Sequence, residues 1–456
     1  MPPKFGTSGL RGLVRDLTPE LVADHTRAFL AACPVGTGLW VGRDLRDSSP
    51  QLAGAVIAAA LGEGVPVTDC GALPTPALAM AAMEAGAAAI MVTGSHIPAD
   101  RNGLKFYTPG GEITKADEGA ILSALGRVPR GATARRRGNI EAGGDWAARY
   151  PRAFGRALSG LTIGVWHHSA VSRDLIPLAL QALGASVVAL GRSDHFIPVD
   201  TEAVPPELRA QFAKWAAMGL DAIVSTDGDG DRPLLADATG QIVPGDVLGQ
   251  ITAALLGAET VVTPVSANSG VELSGRFARV IRTRIGSPFV LAGMEAAGGR
   301  VAGYEPNGGF LLGFEATGPA GPLPRLMTRD SLLPLVATLA EARRAGSVAA
   351  RVAEEPARFT VTDRLEGVEP ARSAAFLRGL EADGALAAFL APLGQVGGID
   401  RTDGLRAALV GAAVVHLRPS GNAPEFRLYA EAGSPAAAAA LLRDAFTLVR
   451  AALLQG

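Results

Sequence analysis

Cysteine is nearly absent: Cys33 and Cys70 are the two thiols in a chain of 456 residues. Two cannot build a disulfide framework or a thiolate metal site, and both are expected as small buried side chains. An excess of charge of one sign is also missing. Lys and Arg total 42 against 44 Asp and Glu, a formal net charge of −2, which argues against a dedicated nucleic-acid binder. Lysine is scarce, at four residues to 38 arginines. No apolar run reaches the roughly 18 residues of a membrane span, and the opening MPPKFGTSGLRG has no signal-peptide core. The expectation is a cytoplasmic protein that binds neither membrane nor nucleic acid. What is present is core material. With 48% hydrophobic and 19% charged residues, an intrinsically disordered chain is excluded. The length is that of several domains, and 57 glycines suggest many tight turns and close backbone approaches to ligand.

The first 310 residues or so alternate strand and helix patterns. LWVG (39–42), the polar turn RDLRDSS, an Ala-rich helix at 51–60 and a strand at 65–68 form one βαβ pattern. It recurs as LTIGVW (161–166), a turn containing HHSAVSR, a helix and SVVAL (186–190), and more weakly from TVVTPV (260–265) to ARVIRT (278–283). Each copy ends alike, in MEAGAAAIMVTGSH, AAMGLDAIVSTDGDGD and MEAAGGRVAGYEPNGG. Seven residues separate Gly86, Gly219 and Gly298 from Thr93, Thr226 and Glu305. Three matched spacings indicate three related α/β domains with mixed sheets, whose polar loops lie beyond strand carboxyl ends, where open α/β sheets bind ligands. The last hundred residues show β-like runs (RFTVTDRL, LRAALV, AVVHLR, EFRLYAEA) before a long helix pattern, an α+β fourth domain. Domains are expected at 1–148, 149–245, 246–358 and 359–456.

STDGDGDR places Asp227, Asp229 and Asp231 beside Arg232. Two carboxylates near 4 Å repel by about 4 kcal/mol at an effective dielectric of 20, and a divalent cation removes that cost. Arg232 and Ala238 at the sixth and twelfth places exclude an EF-hand. Three oxygen ligands with open positions suit one Mg²⁺, which favours carboxylates together with a phosphate oxygen. TGSHIPADRNGLKFY sets Ser95 just after a strand, followed by His96 and, ten residues on, Lys105. A serine at such a turn is expected to expose its hydroxyl near backbone N–H groups, as a nucleophile or phosphate site requires; the dipeptide taken alone is a weak signal and fits a capping serine with a surface histidine better. Ile97 stands where a serine-hydrolase elbow needs glycine. RPSGNAPEFR offers Arg418, Ser420, Gly421, Asn422 and Arg427, a turn of N–H donors with guanidinium forks suited to phosphate. GYEPNGG supplies Glu305 and Asn307, groups that suit sugar hydroxyls.

In this order the loops resemble those of the α-D-phosphohexomutase superfamily, over nearly the whole chain. FGTSGLRG (5–12) is similar to its N-terminal signature, TGSHIPADRNGLKF to its phosphoserine loop, DGDGDR to its metal loop, GYEPNGG to its sugar loop and RPSGNAPEFR to its phosphate loop. The resemblance implies a catalytic set of Ser95 (the phosphorylated residue), His96, Lys105, Arg11 and Arg232. It implies a substrate set of Glu305, Asn307, Gly308, Ser287, Arg418, Ser420, Gly421, Asn422 and Arg427. Ser95 with Asp227, Asp229 and Asp231 would hold Mg²⁺. Ile97 replaces the usual Asn, and Asn422-Ala423 replaces Thr-Glu. Asn307 and Gly309 stand where the family has Ser and His, and Ser287 where it has a second His. With Gly309 unable to carry a proton, that task is expected to fall to Lys105, ahead of His96.

The implied activity is interconversion of hexose 6-phosphate and hexose 1-phosphate, with mannose phosphate the expected sugar. A hexose bisphosphate would be both intermediate and activator, and the enzyme a monomer or homodimer. Glucose and glucosamine phosphates are the alternatives within the family. Outside it stand a metal-dependent sugar phosphatase and a catalytically silent sugar-phosphate-binding protein.

Overall fold

The structure, a computed structural model, describes residues 3–6, 9–420 and 424–455. Strand Leu39–Arg43 is flanked in parallel by Val67–Ala72 and Ala88–Val92, and Arg101–Thr108 pairs antiparallel with Ala88–Val92. Its residues alternate between two apolar clusters, as strand geometry requires. Leu39 and Val41 join Phe29, Leu52 and Val56, whereas Trp40 joins Ala77 and Leu78. Both faces are therefore buried, which is why the strand reads as a short apolar run rather than an alternating one.

The same order recurs twice. Thr162–His168 lies between parallel Ser186–Arg192 and Ala222–Thr226, with Pro233–Asp237 antiparallel to the latter. Thr260–Pro264 lies between Arg279–Thr283 and Val301–Tyr304, with Phe310–Leu312 antiparallel beyond. In all three sheets the loop entering the antiparallel strand carries the polar segment singled out above, so the three loops occupy one topological position. The first sheet continues past Arg101–Thr108 to Leu10–Leu13, which sets Arg11 opposite Gly103.

The fourth sheet is antiparallel, in the order Phe359–Glu366, Glu425–Ala432, Val414–Pro419, Leu405–Leu409, Val396–Asp400, and packs against helix Pro435–Gln455. Mixed α/β sheets followed by an α+β unit is the expected architecture. Two local readings are corrected. Thr162–His168 runs through both histidines that were assigned to a turn, because its pairing persists to His168 opposite Arg192. Val396–Asp400 went unanticipated because Gly397 and Gly398 erase its side-chain pattern.

One apolar cluster threads the first three sheets, from Trp40 through Ile163 and Val224 to Val261 and Leu339, while the fourth has its own, from Leu365 to Leu453. Sheets three and four meet through polar contacts. Glu431 accepts from Ser269 N at 3.1 Å and also from its hydroxyl, and Asp403 Oδ2 accepts from Ile285 N at 3.0 Å. Among the described residues no helix is long and apolar enough to cross a membrane.

Candidate active site

Ser95 sits at φ +53°, in the left-handed region that non-glycine residues rarely adopt. Its surroundings determine this conformation. The Ser95 N–H donates to Thr93 Oγ1 at 2.7 Å. From the polar turn after the first parallel strand, Arg46 Nη2 donates to Ser95 O (2.9 Å) and Ile97 O (2.6 Å), and Nη1 to Pro98 O (2.8 Å) and Arg101 O (3.0 Å). Asp44 holds Arg46 Nε at 3.1 Å and also accepts from Ser49 Oγ at 2.5 Å and Thr93 Oγ1 at 2.8 Å. Gly94 is required here, since a Cβ would lie 2.6 Å from the Arg46 guanidinium carbon. Burial pushes the Asp44 carboxyl above its ordinary range, opposed by Arg46 and by the hydroxyl donors. A buried pair this fully satisfied holds geometry more than it adds stability.

The expectation of an exposed Ser95 hydroxyl is corrected: Ser95 is fully buried. The Asp-rich loop of the second sheet closes over it, and Oγ donates to Asp227 Oδ2 at 2.6 Å, with His96 Nδ1 3.5 Å away. A Cβ on Gly228 would meet Ser95 O at 3.1 Å and the Phe196 ring at 2.7 Å, and that ring in turn lies 4.0 Å from the Arg46 guanidinium.

Asp227, Asp229 and Asp231 are buried, with ligand atoms within 4.8 Å of one another. Asp227 Oδ1 accepts from Asp231 N and Arg232 N, both at 3.2 Å. Asp229 Oδ2 accepts from Lys105 Nζ at 2.5 Å and Thr75 Oγ1 at 2.6 Å, and Asp231 Oδ2 from Lys105 Nζ at 2.6 Å. Burial, then Asp229 and Asp231, push Asp227 well above the carboxylate range. Burial acts on Asp229 in the same direction, but Lys105 and the donors around it outweigh burial and hold Asp229 low.

Asp229 Oδ1 and Asp231 Oδ1 are buried without a hydrogen-bond partner. Unpartnered carboxylate oxygens are costly, and an all-oxygen set of this kind fits a hard divalent cation. The three aspartates thus pass as a metal site on their own geometry.

A rim of cations surrounds it. Arg232 Nε lies 4.0 Å from Asp227 and 3.9 Å from Asp231. Burial, followed by the charges of Arg232 and Arg329, lowers Arg11 to about 10. Burial and then Arg232 and Arg11 hold His96 far below its ordinary range, so its imidazole is neutral at physiological pH. Lys105, anticipated as a proton carrier, points into the carboxylates and is almost fully buried.

In the third-sheet loop Glu305 is buried, and its carboxyl is raised by burial against the pull of Arg329 and Arg232. Asn307 Oδ1 accepts from Gly309 N at 3.0 Å, so half of this amide shapes its own turn. Gly308 has φ +87°, and a Cβ there would strike Pro233 at 2.6 Å. Ser287 donates to Glu112 Oε2 of the first sheet at 2.9 Å.

In the fourth sheet Arg418 and Arg427 face each other across neighbouring strands. Like charges in that relation repel unless an anion or acid intervenes. Here Asp403 lies 3.0 Å from Arg418, and Glu425 lies 3.4 Å from Arg427. Ser420 N donates to Glu425 O at 2.8 Å. Gly421 and Asn422 lie outside the described residues.

The structure therefore gathers Ser95, His96, Lys105, Arg11, Arg232 and the three aspartates in one place. It adds Asp44, Arg46, Thr75, Phe196, Glu112 and Arg329, which the sequence reading missed. Only Asp44 and Arg46 carried a local signal, a polar turn at a strand's carboxyl end; the others reach the site from distant elements.

Family models described as phosphoglucomutase/phosphomannomutase alpha/beta/alpha domains I and III match residues 2–128 and 244–359. A phosphomannomutase of Sinorhizobium fredii (strain NBRC 101917 / NGR234) is 43% identical over 100% of both chains. One from Salmonella muenchen is 41% identical over 94% of this chain and 92% of its own. The fold is shared with a phosphoglucomutase/phosphomannomutase family protein of Burkholderia thailandensis (TM-score 0.79, 23% identity, covering 99% of this chain and 98% of that one). Since the family models match more than half of the chain and the 43% identity runs its full length, this chain belongs to the phosphoglucomutase/phosphomannomutase family.

Proposed function

We propose that this chain is an isomerase that interconverts hexose 6-phosphate and hexose 1-phosphate, with mannose phosphate the preferred sugar, through a phosphoserine at Ser95. The observation that carries the reading is the Ser95 hydroxyl, held in a left-handed turn and hydrogen-bonded to Asp227 inside the aspartate cluster. Full-length identity to curated phosphomannomutases supports the choice of sugar.

Ser95 Oγ is the atom that receives and gives up the phosphoryl group. As the sugar O–P bond forms and the bond to Ser95 Oγ breaks, the proton lost by the sugar hydroxyl is the one that Ser95 Oγ takes up, and Asp227 Oδ2, which accepts from the free Ser95 hydroxyl at 2.6 Å, orients that oxygen and stays ionised to hold the metal. Asp227, Asp229 and Asp231 together with phospho-Ser95 would hold Mg²⁺, which would neutralise charge on the transferring group. Arg11 and Arg232 add fixed positive charge beside Ser95, and neutral His96 adds a hydrogen-bonding group without a further charge. Glu305 anchors sugar hydroxyls, while Arg418, Arg427, Ser420, Gly421 and Asn422 grip the phosphate that does not react. Holding the sugar by its hydroxyls and far phosphate suits both orientations of a bisphosphorylated intermediate, which must present each phosphate to Ser95 in turn.

We place module boundaries near 148, 245 and 358, supported by sheets whose strands lie within 4–138, 162–237, 260–330 and 359–432. Incubation with Mg²⁺ and mannose, glucose or glucosamine 1-phosphate, each with a trace of its bisphosphate, tests the reading. The 6-phosphate isomer is expected, fastest from mannose 1-phosphate; released inorganic phosphate or unchanged sugar overturns it.

A further inference from the structure

Arg329 lies at the end of strand Leu326–Asp330, 3% exposed, between two acids supplied by different sheets. Its Nη2 is 2.8 Å from Asp231 Oδ2 in the aspartate cluster, and its Nη1 donates to Glu305 Oε1 at 3.5 Å in the sugar loop. Among the described residues it is the one cation ion-paired to both loops. Lys105 and Arg232 reach the aspartates but form no ion pair with Glu305.

The stem of the same side chain occupies the space over Gly309. A Cβ there would lie 2.8 Å from Arg329 Cδ and 3.0 Å from Cγ, and the Gly309 backbone cannot swing clear. Its N–H is held by Asn307 Oδ1 at 3.0 Å, and its carbonyl accepts from Glu305 N at 3.2 Å. A side chain at 309 therefore has to displace the arginine stem from its observed position.

We propose that Arg329 is a positioning residue that ties the sugar loop to the aspartate cluster, holding Glu305 for the sugar while moderating the cluster's grip on its cation, and that Gly309 is the space this link requires. Its two effects carry opposite signs. A positive charge 2.8 Å from Asp231 opposes a bound cation, so its loss strengthens metal binding. The same charge holds Glu305, so its loss weakens sugar binding. General damage to the fold would weaken both. The sugar effect rests on the mutase reading; the metal effect does not.

The test uses metal-stripped full-length protein. Calorimetry with Mg²⁺ alone reads the cluster, steady-state kinetics with mannose 1-phosphate read the sugar loop, and melting temperatures are recorded alongside. Arg329→Gln is expected to bind Mg²⁺ about threefold tighter or more, because a nearby cation is gone. Its sugar KM is expected to rise roughly tenfold with the loss of one charged hydrogen bond. Arg329→Lys should bring Mg²⁺ affinity back to roughly the wild-type value but leave KM raised, since a point charge cannot reach both acids as a planar fork does.

Gly309→Ala is expected to raise KM by about threefold or more. In Arg329→Ala it should add almost nothing, because one variant already removes what the other displaces. Mg²⁺ binding unchanged or weaker in Arg329→Gln overturns the proposal, as does a fully additive Gly309→Ala. Should Arg329→Gln melt early, Gly309→Ala alone decides, and an unchanged KM there refutes the link. Failure of the wild type to isomerise any hexose phosphate would remove the mutase reading while leaving the calorimetric result to stand or fall by itself.

Discussion

In the proposed function the loop that holds Ser95 and the strands that present Arg418 and Arg427 both serve phosphate, yet the molecule secures them differently. The Ser95 loop is anchored from behind by Arg46 and Asp44 and leaves a strand whose Ala89 and Met91 belong to an apolar cluster continuous through three sheets. The fourth sheet packs its own core and meets the third through polar contacts at Glu431 and Asp403. Dispersion and burial between interlocked side chains resist any displacement, whereas a few charged hydrogen bonds can be exchanged at modest cost. The contrast separates two tasks. Phosphoryl transfer needs one fixed geometry, while gripping the distal phosphate of a sugar that presents either end needs some latitude.

The comparison breaks most completely at its rigid end. Ser95→Ala is expected to abolish isomerisation while keeping a cooperative fold, its melting temperature lowered only by the loss of the buried hydrogen bond to Asp227, and intact-mass measurement should find a labile phosphate on wild type and none on the variant. Turnover at the wild-type rate from pure variant would refute the phosphoserine.

Arg46→Met comes next. It leaves Asp44 buried and uncompensated, at a cost of about 3–5 kcal/mol in denaturant unfolding, and frees the carbonyls that hold Ser95 in its left-handed turn. A stable, fully active Arg46→Met protein would show that the anchor is dispensable.

Arg418→Ala and Arg427→Ala test the adjustable end. Each removes a charged phosphate contact of roughly 1.5–3 kcal/mol, so KM should rise about 10–150-fold with Mg²⁺ affinity unchanged. An unchanged KM in both variants would mean that the fourth sheet does not hold phosphate.

The smallest effect is expected at the junction of the two regions. Asp246, whose Oδ2 accepts from Asn268 N at 2.9 Å beside the Ser269–Glu431 contact, is raised to about 6 by burial. An acid whose folded value lies above its unfolded one near 4 favours folding when protonated. Its contribution is therefore present at pH 4 and lost as pH rises through 6, a difference on the order of 2 kcal/mol. Asp246→Asn keeps an acceptor without the charge and should raise the denaturant midpoint at pH 7.5 but not at pH 4.5. Equal shifts at both values would discard the assignment.

Much of this was legible in sequence because it is local. Three matched glycine spacings announced three equivalent loops, and three alternating aspartates announced a cation site without any knowledge of the sheets. Val396–Asp400 was not legible, because its paired glycines carry no side-chain pattern. Nor was the burial of Ser95, since the loop that covers it begins 132 residues later.

By itself the sequence determined the chemistry on offer: a serine after a strand, three carboxylates within five residues, and two arginines around a small-residue segment. Periodicity and spacing express interactions between near neighbours in the chain, and these were enough to establish the repeat, while the family followed from the resemblance of the loop motifs. Which groups meet was decided only by the tertiary structure. Arg46 reaches Ser95 across 49 positions, Lys105 reaches Asp229 across 124, and Arg329 joins Asp231 to Glu305. Such contacts come from the packing of whole sheets, whose apolar faces must be covered before any loop has a fixed neighbour. The partners of a buried charge are therefore set by the completed core and leave no pattern along the chain.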